Sequence, residues 1–435
     1  MPEKSTKPAK CAYLWQQVHI DFNGTVRPCC FVKSVDYFGN LNDNTLSEIW
    51  NGVPWQQLRQ AWNDGNLAGT ECDGCKMMIL NTVPEVLSFP TYERTDDSPE
   101  VLNQKLSIEE LKRGAITLQS KPTSLQYFPS SICNIDCEFC YQYNMKKRTL
   151  GPLGYDMVRE LTPTLMQIMW IGGEPTVQKH FRSWLTEFDK MSNKNISVAI
   201  VTNGTILDNN LAKLFENGRG NANISLDAIS KDLYEDIRRG ASHEKTFANV
   251  RKYIDIRNGN GQFALSVSCL LQKKNLTHLP DFIQFCIDNK IPAEISPSQS
   301  FPLAERLDMF ECIERELPPD WHTIMQRSVA LARTLDAVAS GSCEQTVVFA
   351  IDTLMRGIRR AVHSVPVRLH ALPEQAGQLV SADGPAGAVT YAHVGEDGGV
   401  VVNVPADTPQ KAYRFSLYND ARGSEYIGRL VPEVS

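Results

Sequence analysis
The sequence predicts an α/β protein: six apolar strands alternating with helices, preceded by a small cysteine-bearing unit and followed by a β-rich stretch. Three observations predict this. Between about residues 121 and 300, short apolar runs alternate with helical stretches, the pattern of parallel β/α units in an open or closed barrel. Eight of the 12 cysteines fall into two groups, one before those units and one at their start. After about residue 330, short Val-rich runs are broken by Gly, Pro and Asp, an antiparallel pattern.

In chain order, residues 1–10 are polar and read as a disordered tail. Residues 11–80 form the small unit. VHIDF alternates, NG marks a tight turn and TVRPCCFV follows, which predicts a hairpin over 11–32. Thr45 is placed to cap LSEIW, with Glu48 as its capping-box partner. Trp50, Trp55 and Trp62 supply a small core, and Cys72–Asp73–Gly74–Cys75 closes the unit. Residues 81–120 read as a linker with one helix near 107–113.

The six strands are predicted at 124–129, 165–173, 196–204, 221–227, 263–271 and 293–298. Helices such as FRSWLTEFDKM and THLPDFIQFCIDN lie between them. Tyr127 alternates with Leu125 on the first strand and reads as packing. Ligands in such folds sit at the C-terminal ends of the strands, where the glycine- and cysteine-rich segments fall. This unit spans 121–330. Residues 345–363 read as one helix within a C-terminal β-rich domain, 331–435.

Composition bounds the function. A chain of 435 residues predicts two to four domains, at roughly 100–200 residues each. The formal net charge of -6 argues against a nucleic-acid partner. No apolar run reaches the roughly 18 residues that span a membrane, and MPEKSTKPAK lacks the apolar core of a signal peptide. The expected compartment is the cytoplasm. There, clustered cysteines more often bind metal than pair as disulfides. Cys269, Cys286, Cys312 and Cys343 are scattered singly, as buried hydrophobes are. His19, His180 and His243 show no metal spacing.

The chemistry concentrates in CNIDCEFCYQYN, residues 133–144. Four thiolates close an iron–sulfur cluster; Cys133, Cys137 and Cys140 supply three and leave one position open. A zinc loop with a distant fourth ligand is the other reading of this spacing. The C-x3-C-x2-C pattern resembles the signature of the radical S-adenosylmethionine (SAM) superfamily. Further segments resemble that family in order and at strand ends: Gly172–Gly173–Glu174–Pro175, Thr202–Asn203–Gly204, Ser225–Leu226–Asp227, and Arg238 in YEDIRRG.

The resemblance covers roughly 121–300 and implies a partial (β/α)6 TIM-like barrel. It implies a [4Fe–4S] cluster on Cys133, Cys137 and Cys140 whose open iron chelates SAM. Reductive cleavage would give a 5′-deoxyadenosyl radical that abstracts a substrate hydrogen. Phe139 would pack near the adenine. Gly172, Gly173 and Glu174 would bind the SAM amino group; Asn203 would reach the ribose or methionine; Ser225 and Asp227 would bind ribose hydroxyls or the carboxylate; Arg238 would pair with the carboxylate, which its planar fork suits.

Cys11, Cys29, Cys72 and Cys75, with the intervening GN and EIWN, resemble the SPASM/twitch auxiliary-cluster domain. That implies a second [4Fe–4S] cluster, with Cys30 as an alternative to Cys29. A structural zinc ribbon is the other reading. In most relatives this domain follows the barrel; here it precedes it. A saturated cluster would transfer electrons. The implied reaction is oxidation or epimerisation of a sugar or other small metabolite. A peptide-modifying maturase and a non-catalytic metal-binding module are the alternatives. The expected partners are that substrate and an electron donor such as flavodoxin or ferredoxin. Cys312, after the last strand, is the candidate hydrogen donor; Cys269, on the fifth strand, is the other cysteine placed for that role.

Overall fold
The computed structural model describes residues 10–32, 34, 36–79, 83–87, 94–137, 139, 140, 142, 147–191, 193, 195–297 and 317–351, and six strands between 364 and 430. The chain opens with α1 (Tyr13–Gln16), β1 (Gln17–Asp21) and β2 (Val26–Arg27). Gly24, at φ +86°, makes the turn between the two strands, and His19 faces Arg27 across the antiparallel pair. Pro28, with no N–H to donate, ends β2 after two residues.

The hairpin was expected to stand in its own unit. Instead β1 pairs in parallel with β3 (Ser124–Phe128), Gln17 opposite Ser124 through Asp21 opposite Phe128. Val18, His19 and Ile20 are all buried, so β1 is covered on both faces, as strands inside a parallel sheet are.

Helix α2 (Leu46–Trp50) starts at the expected capping box: Thr45 Oγ1 accepts from the Glu48 N–H at 3.3 Å, and Glu48 Oε2 accepts from the Thr45 N–H at 2.8 Å. Then come α3 (Val53–Asp64), α4 (Lys76–Ile79) and α5 (Pro99–Arg113). Helix α5 is longer than predicted and lies in the segment read as a linker. Its apolar stripe is blurred because it buries carboxylates. Glu100 meets Arg94 at 2.8 Å, and Glu110 accepts from the Gln119 N–H at 2.8 Å and the Ser120 hydroxyl at 2.7 Å. Arg59, on α3, donates to the carbonyls of Leu14 and Ile116 and stacks over the Trp50 ring at 4.7 Å.

The β/α units follow in the predicted order: β3, α6 (Pro152–Leu161), β4 (Gln167–Trp170), α7 (Lys179–Glu187), β5 (Ser197–Thr202), α8 (Asn209–Glu216), β6 (Gly220–Ser225), α9 (Lys231–Ile237), α10 (His243–Gly259), β7 (Ala264–Leu271), α11 (Leu279–Asn289) and β8 (Ala293–Pro297). The ladder runs β2-β1-β3-β4-β5-β6-β7-β8, parallel at β1–β3, β3–β4, β4–β5, β5–β6 and β7–β8. This is an α/β fold of the partial-barrel kind.

Two compact units are distinguished by contact density. The first holds residues 1–134, 145–224 and 245–265. Its core is aromatic: Trp170 meets Tyr127, Phe181 and Trp184 with ring centroids 5.1–5.5 Å apart. The second holds residues 135–144, 225–244 and 266–435. It packs α11 with α12 (Trp321–Ala339). Residues 331–339, expected to begin a β domain, thus belong to a helix, and residues 343–351 are helical too. The remainder of the expected 345–363 helix lies outside the described residues.

The C-terminal strands are β9 (Ser364–His370), β10 (Leu379–Asp383), β11 (Val389–His393), β12 (Gly399–Pro405), β13 (Arg414–Tyr418) and β14 (Tyr426–Leu430). They pair antiparallel, β9 with β12 and β11-β10-β13-β14 in order. No described helix is long and apolar enough to cross a membrane.

Candidate active site
The site residues are placed by loops at the C-terminal ends of the parallel strands. In the first unit, the segment after β4 holds the start of the cysteine loop. The Glu174 N–H donates to the Ile132 carbonyl at 2.9 Å. Gly173, at φ +51°, lets that approach happen, because a Cβ there would stand 2.1 Å from the same carbonyl oxygen. Gly172, at φ +82°, lies so close to Phe128 that a Cβ would fall 1.6 Å from its ring. Both glycines are therefore required by sterics alone.

The Glu174 carboxylate turns inward and is fully buried. Oε1 accepts from the Thr176 hydroxyl and the Thr202 hydroxyl, each at 2.7 Å, and from the Thr176 N–H at 3.1 Å. Oε2 accepts from the Asn203 N–H at 2.7 Å. Burial raises its pKa, and the Asn203, Thr176 and Thr202 hydrogen bonds oppose that rise. Expected to reach a ligand, this side chain instead ties the end of β4 to the end of β5. Its polar atoms are satisfied there because an unpaired buried carboxylate would be too costly.

Asn203 stands at the end of β5. Its Nδ2 donates to Cys133 Sγ at 3.8 Å and to Asn134 Oδ1 at 3.0 Å. Its Oδ1 accepts from the Thr205 N–H at 3.0 Å and the Thr205 hydroxyl at 2.7 Å. Asn249 pins the same loop through the Gly204 and Thr205 carbonyls.

In the second unit, Cys140 donates its N–H to the Cys137 carbonyl at 3.1 Å, a tight turn that carries both thiols. The Asp136 N–H donates to the Arg239 carbonyl at 2.8 Å, holding this turn to the segment after α9. Asp227 sits at φ +64°, and Arg238 gives it Nε and Nη2, at 2.8 and 2.7 Å, both on Oδ2. Asp227 Oδ1 takes the Leu270 N–H at 2.7 Å. The Asp227 carbonyl takes Asn275 Nδ2 at 3.0 Å. Arg238 also lies over the Phe139 ring at 5.5 Å. Burial works against its charge, but Asp227 first and Cys137 next outweigh it, so its pKa is raised.

Asp227 and Arg238, expected to take SAM groups, are thus occupied with each other, and one face of Phe139 is taken by the guanidinium. Ser225 accepts from the Ser268 hydroxyl at 3.3 Å. Cys269, weighed as a hydrogen donor, lies on the covered face of β7 and donates to the Asp227 carbonyl at 3.6 Å. Its pKa is pushed up by burial first and by Asp227 second. Cys312 lies outside the described residues. Sequence reasoning missed Asn134, Thr202, Thr205 and Asn275. Asn134 and Thr202 sit inside motifs already singled out; Asn275 carries no sequence signal.

The first cysteine group, Cys11, Cys29, Cys30, Cys72 and Cys75, lies in the first unit. Burial raises the Cys11 thiol pKa, and Cys29, Cys72 and Cys75 raise it further. Cys29 is pushed up to about 12, by burial first and by the charges of Cys30, Cys72 and Cys75 among the lesser causes. Cys29 and Cys72 are buried and Cys30 is exposed. Among the described residues no group of three His, Cys, Asp or Glu side chains is placed to hold a metal ion. An all-thiolate donor set of four suits a closed iron–sulfur cluster. Three thiols in one loop suit a cluster with an open iron.

Comparison with known proteins bears on these readings. Residues 127–286 match the Radical SAM superfamily profile, and residues 11–76 match the SPASM iron-sulfur cluster-binding domain. Among curated proteins, the probable GTP 3′,8-cyclase of Methanocaldococcus jannaschii is 28% identical over 189 residues, covering 42% of this chain and 61% of that protein. The probable GTP 3′,8-cyclase of Sulfurisphaera tokodaii is 25% identical over 197 residues, with the same coverage of 42% and 61%. The chain thus spans less than two thirds of the length of these relatives. Among solved structures, SuiB of Streptococcus suis bound to S-adenosylmethionine gives a TM-score of 0.36 at 17% identity, over 58% of this chain and 53% of that one.

Proposed function
From a chain that carries a Radical SAM domain with a SPASM iron–sulfur domain ahead of it, we propose a radical SAM enzyme that acts on a small polar metabolite by oxidation or epimerisation. The two domains imply two [4Fe–4S] clusters and SAM. We assign Cys133, Cys137 and Cys140 to the SAM cluster and Cys11, Cys29, Cys72 and Cys75 to the auxiliary one. The bound cofactors supply reductive cleavage of SAM and the hydrogen abstraction that follows.

The chain's own residues supply placement. The observation that carries the reading is the clamp between Glu174 and Ile132, which fixes the cysteine loop at the end of the first barrel strand. With the Glu174 carboxylate turned inward, the backbone of Gly172 and Gly173 is what this segment offers to the SAM amino group. Asp227 and Arg238 hold the loop after β6 in shape, and Ser225 offers its hydroxyl at the strand end. The auxiliary cluster, saturated by four cysteines, moves electrons rather than binding substrate. An external donor such as flavodoxin or ferredoxin provides the initiating electron. In this assignment residues 121–330 form the catalytic barrel and residues 11–80 carry the auxiliary cluster, with β1 extending the barrel sheet.

Neutral hydrogen-bonding groups support a hydroxyl-rich substrate. On β6 the half-exposed positions are Asn221, Asn223 and Ser225, and on β7 Ser266, Ser268 and Leu270. The test is anaerobic reconstitution. The expected outcome is about eight iron atoms per chain and dithionite-dependent formation of 5′-deoxyadenosine. Intact turnover in Cys133→Ala, Cys137→Ala and Cys140→Ala would sink the assignment. Deuterium transfer from labelled metabolites into 5′-deoxyadenosine identifies the substrate; transfer only from a labelled peptide replaces the metabolite reading with peptide modification.

A further inference from the structure
We propose that Asn203 is a positioning residue for the SAM cluster: its side-chain amide donates to Cys133 Sγ and makes the cluster easier to reduce. This rests on the assignment of Cys133 as a cluster ligand. Asn203 was expected to touch the ribose or methionine of SAM, and the structure gives its amide a different neighbour.

The orientation of that amide is over-determined. Asn203 Nδ2 donates to Asn134 Oδ1 at 3.0 Å, Asn134 Nδ2 donates to Thr205 Oγ1 at 2.9 Å, and Thr205 Oγ1 donates back to Asn203 Oδ1 at 2.7 Å. By its own donors and acceptors this ring could close in either sense; the backbone fixes which. The Thr205 N–H, which also needs an acceptor, meets Asn203 Oδ1 at 3.0 Å. A flipped Asn203 amide would set its NH2 against that N–H, which can only donate. One amide hydrogen therefore goes to Asn134, and the other is left for Cys133 Sγ, 3.8 Å from the nitrogen. The backbone is held as well, since the Asn203 N–H is locked on Glu174 Oε2 at 2.7 Å. The donor is presented by a rigid frame, as outer-shell partners of metal ligands are.

A hydrogen bond to a cluster sulfur draws charge from it and favours the more negative, reduced state. Removing the donor should therefore shift the midpoint to more negative values. Outer-shell changes commonly shift metal properties by about tenfold or more; a tenfold change in a one-electron equilibrium is ~59 mV. SAM need not be present for this effect, which separates it from direct SAM binding.

The experiment is an EPR-monitored redox titration of the reconstituted holoenzyme without SAM. The SAM cluster's signal is the one lost in Cys133→Ala. Asn203→Ala and Asn203→Asp are expected to move that midpoint negative by about tenfold in the reduction equilibrium. Should both variants lose the cluster's iron, Thr205→Val decides: it loosens the ring but keeps the donor, and a smaller shift of the same sign is expected. An unmoved SAM-free midpoint, whether or not SAM affinity falls, overturns the proposal. A wild-type protein with no Cys133-dependent signal would instead overturn the cluster assignment.

Discussion

Arg238 places two of its nitrogens, at 2.8 and 2.7 Å, on a single oxygen of Asp227, and both side chains are buried. The other Asp227 oxygen holds the Leu270 N–H, so the pair joins the loop after β6 to β7. Breaking a buried pair leaves a charge without compensation and costs about 3–5 kcal/mol. Asp227→Asn keeps a residue that accepts φ +64°, and so isolates the loss of charge from backbone strain. We expect Asp227→Asn and Arg238→Met each to lower the urea midpoint of the SAM-free protein. The double variant should lose much less than the sum, with a coupling of about 2 kcal/mol. If Arg238→Met leaves the urea midpoint unmoved and lowers SAM affinity alone, then Arg238 serves the ligand and not the fold.

Gly173→Ala tests the clamp on the cysteine loop. A methyl there would meet the Ile132 carbonyl oxygen at 2.1 Å, and the φ of +51° disfavours a side chain in any case. Such incompatible substitutions cost more than about 1 kcal/mol. The expected result is a lowered thermal midpoint together with loss of about four iron atoms per chain, the content of one cluster. Gly74→Ala is the control. It also has a positive φ, +70°, but a Cβ there meets nothing within 4 Å. A Gly173→Ala protein with full iron would show that the loop does not depend on this contact.

The strands of the barrel were legible because each is a short apolar run between turn signals, and all six stand where the sequence puts them. The parallel pairing of β1 with β3 was not. Hairpin spacing shows which strands are joined, and says nothing of a partner 107 residues away, the separation of His19 from Gln126. At the site, Gly172 and Gly173 were legible as glycines that permit close approach. The object approached, the Ile132 carbonyl and the Phe128 ring, was not. Glu174, Asp227 and Arg238 read as ligand groups because they are charged residues at strand ends; that burial gives each a partner inside the protein was not legible. The roles of Asn134 and Thr205 became visible only once two loops closed the hydrogen-bonded ring around Asn203.

The auxiliary ligand set can be decided by serine substitution. Cys29 is buried and coupled to Cys72 and Cys75, whereas its neighbour Cys30 is exposed. Cys30→Ser should keep about eight iron atoms per chain and Cys29→Ser about four. Zinc in place of iron at this site would restore the ribbon reading, and the reverse pattern of losses would assign Cys30 as the ligand.

His19 provides a pH signature for the joint between the hairpin and the barrel sheet. It is 3% exposed, its Nδ1 is 3.3 Å from Gln126 Oε1 and its Nε2 3.1 Å from Arg27 Nη2. Arg27 can only donate, so Nε2 accepts and Nδ1 carries the proton, and the ring is neutral. Burial first, then the Arg27 charge, lowers its pKa from 6.5 to about 4. The folded pKa is depressed below the unfolded one. The stabilisation is therefore fully present above pH 6.5 and is lost as pH falls toward 4, because the unfolded chain takes up the proton first. Within that window the slope approaches ~1.4 kcal/mol per pH unit. Urea unfolding between pH 6.5 and 5 should show this slope in the difference between wild type and His19→Asn, which cannot titrate. Parallel pH profiles for the two proteins would mean that His19 is protonated in the fold, and that Arg27 does not face it as a donor.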